Sequence, residues 1–384
     1  MIQVMDKAKC VGCHACYNCC PLNCITMEDD NEGFMYPRVD QNVCINCKKC
    51  EKVCPVIQKP ILGSFSEASF AAYSKNEQIR KCSSSGGVFS VLAQIVLKHN
   101  GVVFGAAFDD EFQVHHIRVE SVKDLEKLRG SKYVQSRIEK TFKDAKEILE
   151  SGREVYFSGT PCQIDGFKNY LGREYENLIT QDIICHGVPA PYVWDKYLDS
   201  VRNNINSEIT QISFRDKLLG WRKYSVRIEG ANGKVEMSTF LDNPMMRAYL
   251  RDMCLRPSCY DCPSKGVKRS SDITLADFWN VSDFIDDFDD DRGTDLIICH
   301  SSKGMKLLQE AESAIECHKV DMRAVYENVP MNTSSRLPTK RNDFMEYLEH
   351  GSFVESVQKY CTIPIHERLV TKIKLISKRI SRRK

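Results

Sequence analysis

The hydrophobic pattern divides the chain into unlike stretches. Over residues 1–60 no period is sustained, and only short extended pieces stand out, Ile25-Thr26-Met27 and Val56-Ile57, each following a cysteine-rich loop. From Phe70 the pattern becomes regular. Phe70-Ala71-Ala72-Tyr73 reads as a strand, and residues 87–99 place Val88, Val91, Leu92, Ile95 and Val96 at helical spacing. Residues 101–108 read as a buried strand, 138–149 as an amphipathic helix stopped by Ser151-Gly152, and 154–158 and 179–184 as further short strands. Alternation of strand and helix predicts an α/β domain. Farther on, antiparallel strands are expected at 209–214 and 225–229 with a turn near Asn232-Gly233, then a helix over 245–255.

Between these stretches, residues 60–69 carry Pro, Gly and Ser without a period and read as a linker. The expected organisation is a module over 1–60, a linker over 61–69, a larger domain over 70–340, and a helical, basic tail over 341–384. The acidic run 283–295 reads as a solvated loop, because its spacing does not fit an EF-hand.

Composition narrows the picture. The chain has 384 residues, enough for a sizeable core beside a small module, and a formal charge of +2, which implies no nucleic-acid partner. No apolar stretch approaches the roughly 20 residues needed to cross a bilayer. The 19 cysteines come without an apolar signal segment and in ligand-like spacings, so a reducing, cytoplasmic setting is expected.

Their spacing is the strongest chemical signal. Cys10, Cys13, Cys16 and Cys20, followed by Pro21, are repeated as Cys44, Cys47, Cys50 and Cys54, followed by Pro55. In such a run three thiolates reach one cubane and the fourth completes the other. Cys10, Cys13, Cys16 and Cys54 are therefore assigned to one [4Fe-4S] cluster, and Cys44, Cys47, Cys50 and Cys20 to a second. Zinc needs only paired CxxC and would leave the third cysteine, the displaced fourth and the duplication unexplained. Cys19 and Cys24 read as packing thiols, as does Cys82. The expected fold class is α+β: a bacterial-type two-cluster ferredoxin domain followed by a mixed α/β domain.

A second constellation follows predicted strands: Gly159-Thr160-Pro161-Cys162-Gln163, Cys185-His186-Gly187 and, later, Cys259-Tyr260-Asp261-Cys262. Loops at the carboxyl ends of neighbouring strands converge on one crevice, so four thiolates can meet there. Together with Ser84-Ser85-Gly86-Gly87, Gly130-Ser131-Lys132-Tyr133-Val134-Gln135-Ser136 and Ser271 to Trp279, these fragments in this order resemble the coenzyme F420 hydrogenase/dehydrogenase beta-subunit family. The resemblance implies a third [4Fe-4S] cluster on Cys162, Cys185, Cys259 and Cys262, with Cys254 as rival for the fourth place. It implies FAD near Ser85, Gly86, Gly87, Lys132, Tyr133, Gln135, Ser136 and Thr160, and transfer of a hydride pair between a deazaflavin or other small molecule and the flavin. The bacterial branch it most resembles lies near surface-polysaccharide genes.

Some roles have a rationale in the residues themselves. A glycine turn opening a helix offers backbone N–H groups to a phosphate or ring edge, and His186 beside a ligand cysteine is a candidate proton donor. His115 and His116 point to opposite faces of a strand, which suits no shared metal. A redox partner protein is expected at the ferredoxin module. The tail over 368–384, with eight Lys or Arg and no acid, is expected to contact an anionic membrane surface or a partner.

Overall fold

The computed structural model describes residues 1–63 and 65–362. The basic run 368–384 lies outside the described residues, whereas the helices Arg341–His350 and Phe353–Tyr360 lie within them. The chain forms two compact units: 1–192 with 255–335, and 193–254 with the residues from 336 onward.

In the first unit the two cysteine loops share one backbone design. Each carries a left-handed residue between its first two cysteines, Gly12 and Asn46, and another between its second and third, His14 and Lys48. Those second residues start the short helices α1 (Ala15–Cys19) and α2 (Lys49–Lys52). A hairpin of β1 (Ile25–Asp29) and β2 (Met35–Val39) lies between the loops. The extended piece expected at Val56-Ile57 is instead a turn, because the N–H groups of Ile57 and Gln58 both bond back to the Cys54 carbonyl.

The eight-stranded sheet takes β3 (Ala68–Ser74), β4 (Val102–Phe108), β5 (Val114–Val119), β6 (Val155–Ser158) and β7 (Leu178–Ile183) from the first stretch of the chain. Its remaining strands are β11 (Ile273–Asp277), β12 (Asp295–Cys299) and β13 (Ile315–Val320), in the order β13-β3-β12-β11-β7-β6-β4-β5. The middle strands β4, β6, β7 and β11 are parallel, so their loops open at one edge. Strand β3 starts at Ala68, two residues into the expected linker, because Ser69 pairs with both neighbouring strands and is fully buried.

Helix α3 (Glu77–Cys82) precedes α4 (Val88–Lys98), which buries Val88, Val91, Leu92 and Val96 against the sheet. Each such side chain contributes about 1.5–3 kcal/mol on burial. Helix α5 (Thr141–Glu150) begins three residues later than its apolar period suggests. On the other face, α5 and α6 (Pro161–Leu171) supply Phe142, Ile164 and Phe167, and into this cluster pack Val11, Cys13 and Ala15 of the first cysteine loop.

The second unit holds the antiparallel sheet β8 (Ile209–Asp216), β9 (Ser225–Gly230) and β10 (Val235–Thr239), with its turn at Gly233. It also holds most of α7 (Pro191–Ile205) and α8 (Pro244–Leu250), which stops short of the expected 255. Cys254 is fully buried there. Cys82, expected to be packed, is exposed on the last turn of α3, where its sulfur accepts from Gln78 Nε2. The acidic run is anchored as well as solvated: Asp290 takes both Arg80 Nη atoms at 2.7 Å, and Asp295 is buried at the start of β12.

Candidate functional site

Two groups of thiols gather around the ferredoxin loops. The Cys13 and Cys16 thiols are pushed well above their ordinary range, first by burial and then by the neighbouring thiols, which include Cys10 and Cys54 for both. These four form the inner group. Cys20, Cys44, Cys47 and Cys50 line one surface pocket together with Cys24 and Lys48. Cys24 Sγ lies 3.4 Å from Cys20 Sγ, and the Ile2 N–H donates to Cys50 Sγ at 3.3 Å. Cys54 joins the groups, because its thiol feels both Cys10 and Cys50.

A third group sits at the carboxyl edge of the large sheet. Strand β6 ends at Ser158, and Thr160 then caps α6 through a capping box with Gln163, placing Cys162 in the first turn. Strand β7 leads into Cys185. Pro257 opens the 3-10 turn Pro257–Asp261 that carries Cys259, and the Cys262 N–H is held by Ser334 Oγ at 2.9 Å. All four thiols line one crevice with Val11, His186, Arg256, Lys265 and Arg269.

Burial pushes Cys162 well above the ordinary thiol range, Cys185 to about 12 and Cys259 to about 11. Burial thus favours the neutral thiol at these positions, and a bound cation would favour the thiolate. Three cationic side chains, Arg256, Lys265 and Arg269, line the same crevice. Among the described residues no three His, Cys, Asp or Glu side chains converge as the ligands of a single ion do.

The residues expected at the flavin are distributed differently from the expectation. The Ser83–Gly87 and Gly130–Ser136 loops meet, with Ser84 Oγ accepting from the Ser131 N–H at 2.7 Å. The start of α4, however, already holds a carboxylate. Asp295 Oδ2 accepts from the Val88 N–H at 2.8 Å, the Gly86 N–H also bonds to this carboxylate, and Ser85 Oγ donates to the Thr294 carbonyl. The glycine is required by packing: a Cβ at Gly86 would stand 2.6 Å from the Ala72 carbonyl oxygen and 2.9 Å from Asp295. The expected anion-binding role of Gly86 and Gly87 is thus filled from within.

Lys132 Nζ donates to the Lys127 and Arg129 carbonyls, and burial lowers its pKa to about 7. Tyr133 lies half-buried in the same loop. Ser136 Oγ contacts His116 Nδ1 at 2.7 Å, and His116 Nε2 reaches the Ser158 carbonyl, tying that loop to the strand before Cys162. Gln135 Nε2 donates to the Val11 carbonyl, and its Oε1 accepts from Arg256. Gln135 and Ser136 thus brace the wall between the first cysteine loop and the crevice. Thr160 Oγ1 lies 3.3 Å from Cys162 Sγ. His186 lines the crevice, its carbonyl held by Ser335 Oγ at 2.6 Å.

Sequence reasoning missed Arg256, Lys265, Arg269 and Asp295. For Arg256 a signal was present, a basic residue three positions before a ligand cysteine; for Asp295, in an acidic run, there was none.

The family described as coenzyme F420 hydrogenase/dehydrogenase, beta subunit, matches in two parts, its N-terminal part over residues 69–143 and its C-terminal part over 152–323. The 4Fe-4S dicluster domain matches residues 9–57. No curated protein sequence matches the chain. Among solved structures, a chain of the F420-reducing [NiFe] hydrogenase complex from Methanosarcina barkeri aligns with 15% identity and a TM-score of 0.46, over 78% of this chain and 91% of that one. The protein is an iron-sulfur electron-transfer protein that belongs to the coenzyme F420 hydrogenase/dehydrogenase beta-subunit family, a family of oxidoreductase subunits, with a dicluster domain at its front.

Proposed function

We propose that the chain is an iron-sulfur flavoprotein oxidoreductase. It moves electrons between a small two-electron carrier at the sheet edge and a redox protein at the second cysteine loop. The observation that carries this reading is the order of the thiol groups. Cys162 is close enough to Cys13 to raise its pKa, Val11 of the first loop lines the crevice, and α6 packs on the first loop through Gly166. Cys54 then links the first loop to Cys50 of the second.

On this reading Cys162, Cys185, Cys259 and Cys262 hold a third [4Fe-4S] cluster behind the pair on the ferredoxin loops. When bound, FAD would exchange one hydride, with its electron pair, for single electrons, which the clusters accept one at a time. The balance is simple: the carrier gives up a hydride, two electrons leave singly to an oxidised redox protein, and one proton remains for His186 to take. The reverse direction uses the same residues.

The joined Ser83–Gly87 and Gly130–Ser136 loops, with Thr160 on the same edge, are the supporting surface for FAD. Because Asp295 holds the start of α4, Lys132, Tyr133 and Thr160 carry this role more than Ser85, Gly86 and Gly87. At the other end Cys47 is exposed among Val43, Ile45, Lys48, Lys49 and Lys52, all exposed. Apolar contact ringed by lysines suits an acidic redox protein.

The test is anaerobic titration of the purified chain with candidate donors, reduced F420, NADH and NADPH among them, one at a time. One donor is expected to bleach a bound flavin and then the cluster absorption. A chain with intact clusters and no flavin, even when supplied with FAD, would overturn the flavoprotein reading.

A further inference from the structure

Arg256 is among the most deeply buried side chains of the molecule, at 1% exposure. Its Nε donates to the Cys10 carbonyl at 2.8 Å, Nη1 to Gln135 Oε1 at 2.7 Å, and Nη2 to the Met35 carbonyl at 3.0 Å. Nη2 also points at Cys10 Sγ, 3.7 Å away, and the guanidinium lies over the Tyr36 and Phe34 rings. Among the described residues these partners are carbonyls, an amide, a thiol and aromatic rings; none is an acid.

A guanidinium stays charged, and burying a charge without a counter-charge is strongly unfavourable. The surroundings nevertheless make room for it. Gly12, with φ +66, leaves a space in which a Cβ would stand 2.8 Å from Arg256 Cζ. The other two cations of the crevice differ. Arg269 has Asp182 at 3.9 Å, and Lys265 Nζ reaches the Cys185 and Pro330 carbonyls, the second in an exposed contact. Arg256 alone of the three touches the first cysteine loop and the crevice together.

We infer that Arg256 is the built-in counter-charge of the cluster on Cys10, Cys13, Cys16 and Cys54, and that it raises that cluster's reduction potential above those of its two neighbours. Net charge and hydrogen bonds to sulfur are the levers that set cluster potentials, and reduction adds one negative charge beside a fixed, desolvated cation. Arg256 is a positioning residue in this account: it sets where an electron rests between crevice and second loop. The inference depends on the cluster assignment proposed above.

The test is a stepwise redox titration of the full chain followed by EPR, with the first-loop signal identified by its change in Cys10→Ser. In the wild type this cluster is expected to take its electron first. Arg256→Gln should lower its midpoint most and abolish that order, with a smaller drop at the crevice that Arg256 also lines and no change at the second loop, and Arg256→Lys, which keeps the charge, should restore the order. If Arg256→Gln does not assemble, the wild-type order and the lysine variant still decide. A first-loop cluster that reduces after both others, or unchanged midpoints in a fully loaded Arg256→Gln, would overturn the inference. A missing third signal with low iron content would instead overturn the assignment on which it stands.

Discussion

The two cysteine loops are copies of one backbone in opposite surroundings. Val11 is 4% exposed and its counterpart Ile45 67%. Cys13, His14 and Ala15 are buried, whereas Cys47, Lys48 and Lys49 at the same positions are exposed. Duplication thus preserves the spacing of the ligands, and what differs is the environment that tunes a cluster: charge, hydrogen bonding and access of solvent. The first loop has been absorbed into the core of the α/β sheet beside the crevice. The second remains a surface feature with lysines and apolar residues at its rim. The comparison teaches that a symmetric motif here serves an asymmetric path.

The sharpest way to break the comparison is to remove one cysteine from each loop. Cys47→Ala should abolish electron delivery to an external redox protein while the flavin, the crevice cluster and the first-loop cluster remain reducible. Cys13→Ala should abolish delivery and also destabilise the protein, because Cys13 packs into the core with Ile164 and Phe167. Equal losses of stability in the two variants, measured by thermal unfolding, would erase the distinction.

A swap of matching residues is subtler. Asn46→Gly makes the second loop resemble the first and should change stability by less than about 1 kcal/mol, since both residues accept a left-handed backbone. Gly12→Asn makes the reverse change. Its side chain would enter the space of the Arg256 guanidinium, and overpacking of this kind costs about 1–3 kcal/mol. Comparable melting temperatures for the two variants would mean that the first loop is not built around Arg256.

Reversing Lys48, Lys49 and Lys52 to Glu should slow electron delivery to an acidic partner about tenfold or more at low ionic strength. The deficit should close as salt is added, because screening removes the steering. A salt-independent deficit would point to lost contact in place of lost charge.

A further effect, dependent on pH, concerns the sheet that seats the first loop. Burial pushes the Asp295 carboxyl up to about 6, against the N–H groups that favour its ionised form. Its unfolded value is near 3.9, so between about pH 4 and 6 the folded state binds the extra proton and stability falls as pH rises. Asp295→Asn removes that dependence. Its destabilisation relative to wild type should shrink between pH 4.5 and 7, by at most about 3 kcal/mol. Denaturant midpoints that move in parallel across this range would refute the assignment.

Much of this was legible in the sequence because it depends on short spacings. The cysteine runs, the helical period of Val88, Val91, Leu92 and Val96, and the strands bracketing Cys162 and Cys185 all lie within a few residues of one another. What was not legible joins distant segments. Asp295 caps a helix 207 residues earlier in the chain, and Arg256 reaches Cys10 across 246 residues. A Gly-Gly turn looks the same whether an external phosphate or an internal carboxylate faces it, so the expected anion site could not be told from a packing site. The mismatch at Val56-Ile57 has a local cause, since turn bonds to Cys54 outcompete β propensity there.

The central claim is that the crevice of Cys162, Cys185, Cys259 and Cys262 holds a third cluster next to the absorbed loop. Anaerobic iron and sulfide analysis of the wild type and Cys259→Ala tests it most directly. The account predicts about twelve of each per chain in the wild type and about eight in the variant, with the two ferredoxin EPR signals unchanged. About eight in both proteins would contradict it.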